Sequence, residues 1–114
     1  MDFYSSVMGQ PTITFATGTA ADSGDNTIVA APGTGKRLAL LVLQVQNETS
    51  TATTGIVKFG TTAKLRSRNP SDGDGLLRDW SHRPVLLAEN TALVLNLSGA
   101  NSHGYSVEYA TVPV

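Results

Sequence analysis

AAPGTGKRLALLVLQVQ, residues 30–46, can be read in two ways. Its first half carries the outline of a phosphate-binding loop: Ala30, four residues, then Gly35-Lys36. Arg37 breaks that outline where a hydroxyl would hold Mg²⁺. Such a loop also needs a helix after the lysine, with its N-terminus aimed at the phosphate. The second half argues for a strand instead. Leu43, Gln44, Val45 and Gln46 alternate with a period of two. Pro-Gly and Thr-Gly pairs precede the segment, and a Thr- and Ser-rich run up to Gly55 follows it. The stretch therefore reads as a glycine-rich connection feeding a strand over Arg37–Gln46. Period two puts Leu38, Leu40 and Val42 on the face of Gln44 and Gln46, with Ala39, Leu41, Leu43 and Val45 on the other. This longest and most apolar segment is predicted to be central and covered on both faces.

The same punctuation continues outward. Alternating or short apolar segments occur at Pro11–Ala16, Asn26–Ala31, Gly55–Gly60, Pro84–Ala88, Ala92–Leu97 and Tyr105–Val112. Thr61–Arg68 reads as an irregular strand, and Leu76–His82 as a strand or one helical turn. Gly18–Asp25 and Asn69–Gly75 are turn-rich. Leu93, Leu95 and Leu97 share one face, as do Tyr105, Val107 and Tyr109. About eight short strands at these spacings predict an all-β sandwich or barrel.

A chain of 114 residues suits one domain. Charged residues make up 15% of it, below the ~25% usual for globular proteins. Small polar residues fill the difference, as in a turn-rich β-protein or one whose surface neighbours partly cover. A net charge of −1 gives no general attraction to nucleic acid or anionic membrane. Cysteine is absent, which removes disulfides and thiolate metal sites. The first ten residues lack the basic start and apolar core of a secretory signal, which predicts synthesis in the cytoplasm.

No constellation for catalysis or metal binding emerges. Asp79, Ser81 and His82 are close in sequence, but strand neighbours point to opposite faces and no nucleophile turn surrounds the serine. Asp72-Gly-Asp-Gly75 lacks the full ligand ladder of a calcium loop. His82 and His103 have no metal-ligand spacing and read as polar loop residues. No catalytic, metal or cofactor residue is assigned.

Contact residues are a different matter. Residues 1–11 form a candidate arm ahead of a single domain at 12–114, and Phe3, Tyr4, Val7 and Met8 fit no strand period. Their burial on a partner would contribute ~1.5–3 kcal/mol each. Lys64, Arg66 and Arg68 alternate and predict one basic strand face, suited either to guarding an edge or to meeting an acidic partner. Interleaved aromatics are missing, which argues against nucleic acid. Trp80 is the single tryptophan and a candidate interface anchor.

Two pairs of segments carry a family resemblance. Gly35-Lys-Arg-Leu-Ala-Leu-Leu-Val-Leu-Gln44 leads to Thr54-Gly-Ile-Val-Lys-Phe-Gly60. Glu89-Asn-Thr-Ala-Leu-Val-Leu-Asn-Leu-Ser98 leads to Gly104-Tyr-Ser-Val-Glu-Tyr109. This pattern resembles small virion proteins of tailed bacteriophages over roughly residues 26–112. The resemblance implies a jelly-roll-like antiparallel β-sandwich, often trimeric, that decorates the outer capsid surface and bridges subunits of the major capsid protein. It implies no catalytic residues. The alternative is a carbohydrate- or receptor-binding domain of a phage tail or fibre, because one sandwich hosts many functions.

Overall fold

A computed structural model describes residues 12–114. The candidate arm, with Phe3, Tyr4, Val7 and Met8, lies outside the described residues. Nine strands follow in order: β1 Thr14–Ala20, β2 Gly24–Val29, β3 Lys36–Asn47, β4 Thr53–Phe59, β5 Thr62–Asn69, β6 Gly75–Asp79, β7 Val85–Leu86, β8 Leu93–Leu97 and β9 His103–Pro113. There is no helix among the described residues. One sheet, A, runs β1-β9-β3-β6, and β7 extends the β6 edge by pairing with β3. The other, B, runs β2-β8-β4-β5, and every pairing in both sheets is antiparallel. The chain crosses between sheets at most connections and makes a hairpin at β4–β5. With β7 set aside, these are the two four-stranded sheets of a jelly-roll sandwich.

The core lies between the sheets. Leu38, Leu40, Leu43 and Val45 of β3 meet Leu93, Leu95 and Leu97 of β8, with Val57 and Val107. Each fully buried Leu or Val side chain contributes ~1.5–3 kcal/mol. The faces of β3 differ from simple alternation. Leu40 pairs with Tyr109 but Val42 pairs with Glu108, so Leu41 is an extra residue in a β-bulge. The bulge shifts the phase: Leu38 and Leu40 point inward before it, Leu43 and Val45 after it. Uninterrupted alternation would have put Leu38 and Leu40 on one face with Gln44 and Gln46. The outer face of β3 is half covered rather than fully covered: Ala39 is buried, while Gln44 and Gln46 are exposed.

Other boundaries move for local reasons. β1 runs on to Ala20, and β2 begins at Gly24, so the gap between them shrinks to three residues, Ala21–Ser23. Gly24 turns the chain with a φ of 91°. Leu76–His82 resolves as the strand β6 followed by a turn. His103 is not a loop residue. It opens β9 and is fully buried.

Candidate functional site

The glycine-rich loop before β3 is already occupied by the protein itself. The Gly35 amide donates to the Glu89 carboxylate at 2.7 Å, and the Gly33 amide to Asn90 Oδ1 at 2.9 Å. Lys36 then starts a strand. Two N–H groups that a phosphate would need are therefore taken, one by an anion in the place the phosphate would fill. Calorimetric titration with ATP and Mg²⁺ is expected to show no specific heat. A micromolar site abolished by Lys36→Ala would refute this.

The Asp-Ser-His neighbourhood is a turn. Ser81 donates to Asp79 Oδ1 through its hydroxyl at 2.6 Å and its amide at 2.9 Å. Those hydrogen bonds, the hydroxyl first, hold the Asp79 carboxyl below the usual carboxylate range. The serine proton thus points to Asp79 and not to the exposed His82. Asp74 is used in the same way: its Oδ2 accepts from the Ser71 amide and hydroxyl, both at 3.0 Å. No cluster of three metal-ligating side chains occurs among the described residues.

Three surfaces remain. The first is the outer face of sheet A, whose rows follow from the strand register. Phe15, Glu108, Val42 and Asp79 form one row, then Thr17, Ser106, Gln44 and Leu77, then Thr19, Gly104, Gln46 and Gly75. The face is mixed along these rows: the first sets the Glu108 and Asp79 carboxylates beside Phe15 and Val42, and the second ends on Leu77, 60% exposed. At its apolar end Ala39, Ala110 and Val112 form a small buried cluster with Leu41 and Leu86. Beside it Ile13 is 44% exposed and Phe15 64% exposed. The chain enters the described domain at Thr12, next to these two residues.

The second surface is the polar end of that face. A trough of about 340 Å³ is lined by Thr17, Thr19, Gln44, Gln46, Glu48 and Ser106, among others. The Glu48 carboxylate lies over Gly104, where a Cβ would come within 3.1 Å of it. Tyr105 also borders the trough, but its ring packs against the core, so it offers no platform for a sugar.

The third is β5, which carries the predicted basic residues. Arg66 and Arg68 are exposed on the outer face of sheet B, in register with Ile56 and Thr54. Lys64 departs from simple alternation. Val57 pairs with Leu65 but Lys58 pairs with Ala63, which makes Lys64 the extra residue of a second bulge. Its ammonium sits 5.7 Å from the centroid of the Phe59 ring. None of these three cations makes an ion pair among the described residues. Lys58, one strand inward, does: it holds Asp25 at 3.1 Å, while Asn96 donates to the same carboxylate at 2.7 Å. The Asn96 bond, then the Lys58 bond, keeps the Asp25 carboxyl below its ordinary range. Trp80 is half-buried against the main core, and its amide donates to the Leu41 carbonyl. It is an edge-of-core residue more than an exposed anchor.

No protein-family model matches the chain, and no curated protein matches it. The fold defines the class, an antiparallel jelly-roll sandwich.

Proposed function

We propose that the protein is a non-enzymatic virion component that decorates a phage capsid and stabilises it by bridging neighbouring capsid subunits. The observation that carries this reading is the apolar end of sheet A. Ile13 and Phe15 stand exposed there, directly after Phe3, Tyr4, Val7 and Met8 in the sequence. A small domain that leaves such residues in water gains when a neighbour covers them. The jelly-roll strand order, and the β5 cations that make no ion pair among the described residues, support the same reading. Assembly as a homotrimer belongs to it, and light scattering at micromolar concentration is expected to give a mass near three chains.

Deleting residues 1–10 is expected to leave the β-sandwich folded, because the described strands begin at Thr14. It is expected to weaken attachment to shells that lack the native copy and to lower their heat resistance. An arm that docks loses conformational freedom, so several apolar contacts must offset that cost. Circular dichroism of the truncated chain and its co-sedimentation with such shells measure the two halves. Undiminished binding by the folded truncation would remove the arm from the mechanism. Failure of the full-length chain to bind any shell would favour the glycan- or receptor-binding alternative, with the Gln44–Gln46 trough as its site.

A further inference from the structure

β5 is an edge of sheet B: it pairs with β4 on one side and with no strand on the other among the described residues. An unpaired edge offers alternate N–H and C=O groups to an added strand. Arg66 and Arg68 flank that edge on the outer face and have no acidic partner among the described residues. At the start of the same strand a cavity of about 750 Å³ opens between the β4–β5 turn and β7. Phe59, Val85, Leu86 and Leu87 contribute its apolar wall, and Lys64 stands in its lining. The bulge at Lys64 interrupts regular pairing there and directs the ammonium towards Phe59. The edge thus has two parts, a regular stretch over Leu65–Asn69 bordered by two arginines and an apolar cavity bordered by a lysine.

The geometry points to β5 as the acceptor for an extended acidic segment of a partner protein. The segment adds as a strand along Leu65–Asn69, sets carboxylates opposite Arg66 and Arg68, and places an apolar side chain in the cavity with a further carboxylate near Lys64. Charge complementarity selects this occupant. A second copy of β5 would oppose cations with cations, and like charges placed opposite one another on paired strands destabilise them. The charges that guard the edge against self-pairing leave it open to an acidic strand. This inference rests on the assembly reading and names the chemistry of the partner.

A fluorescently labelled synthetic peptide that begins with Leu and alternates Glu with Val is the probe, and its counterpart with Lys in place of Glu is the control. The acidic peptide is expected to bind at low salt, with backbone NMR shifts concentrated in Leu65–Asn69. Binding should weaken by about tenfold or more at high salt and in the double variant Arg66→Glu/Arg68→Glu. The control peptide is expected not to bind. Both substitutions are on exposed positions, and circular dichroism checks the fold. Equal binding of both peptides, or unchanged binding to the double variant, would overturn the site. The same variant tested on shells separates the two readings. Full shell binding by it overturns the β5 site and leaves the decoration reading intact. Peptide binding at β5 by a chain that binds no shell supports the site and removes the decoration reading.

Discussion

Replacing Gly75 by Ala is expected to detach β6 from β3. A Cβ at Gly75 would run into the Val45 carbonyl oxygen and lie 2.9 Å from Gln46 Cα. Both are backbone atoms of the central strand, so no side chain can swing aside. The contact is tight because the preceding turn is tied to the end of β3: the Gly73 amide donates to the Asn47 carbonyl, and the Asn47 amide to the Asp74 carbonyl, both at 2.7 Å. Relief requires the strands to part, which would give up the β3–β6 register and the burial of Leu76. The expected cost is about 4 kcal/mol or more, above the ~1–3 kcal/mol usual for overpacking because backbone pairing is lost as well. Gly33→Ala is the comparison. Gly33 has a φ of 110° but nothing within 4 Å of its Cβ position, so that variant carries backbone strain alone, about 1–3 kcal/mol. Urea unfolding of both variants checks the order. If Gly75→Ala does not fold, its lost signal against a folded Gly33→Ala gives the same order. Equal stabilities would refute the steric account.

The contrast between these glycines marks what sequence can and cannot convey. Asp72-Gly-Asp-Gly75 reads as a turn from composition, because Asp and Gly suit turn geometry. Which glycine lies against a strand far back in the chain depends on the register of β3 and β6, and register is a tertiary fact. The bulge at Leu41 is similar. Its trace is present in the sequence: the apolar run Leu38–Leu43 has no clear period, and the alternation after it is in the opposite phase from Leu38 and Leu40. Period two applied without interruption assigns Leu38 and Leu40 to the wrong face. The strands and the inward sets Leu93/Leu95/Leu97 and Tyr105/Val107/Tyr109 were legible, because in each the same chemistry repeats at every second residue. For the candidate contact surfaces, the exposure of Arg66 and Arg68 was legible from alternation, whereas Lys64 was displaced by a bulge. Glu89 and Asn90 capping the glycine loop had no local signal at all, since their partners are in another part of the chain.

His103→Ala is expected to cost about 3–5 kcal/mol, a large effect for one polar residue, since it opens a cavity and strands the buried Asn69 amide and the part-buried Asn101 carbonyl. His103 joins the two sheets. Its Nδ1 donates to the Asn101 carbonyl at 2.8 Å, so Nε2 accepts from Asn69 Nδ2 at 3.0 Å. Asn69 is fully buried at the end of β5, where its Oδ1 accepts from the Ser67 hydroxyl. Its carbonyl accepts from Asn47 Nδ2 at 3.0 Å, and Asn47 in turn takes the Thr49 amide at 2.9 Å. Strands β3 and β9 of sheet A are thereby pinned to β5 of sheet B at the end opposite the cavity and the apolar patch. His103→Gln can offer one donor and one acceptor, so it should recover part of the loss. A double-mutant cycle with Asn69→Ala should return a coupling of ~1–3 kcal/mol from urea midpoints. A cost under ~1 kcal/mol with no coupling would show that the network adds nothing to stability. Stability and binding measured together separate structure from contact. Under conditions where the His103 variant is still folded, its binding of the acidic peptide should weaken, because the network ends on Asn69 inside the Leu65–Asn69 stretch, whereas Arg66→Glu/Arg68→Glu should lose binding with stability kept.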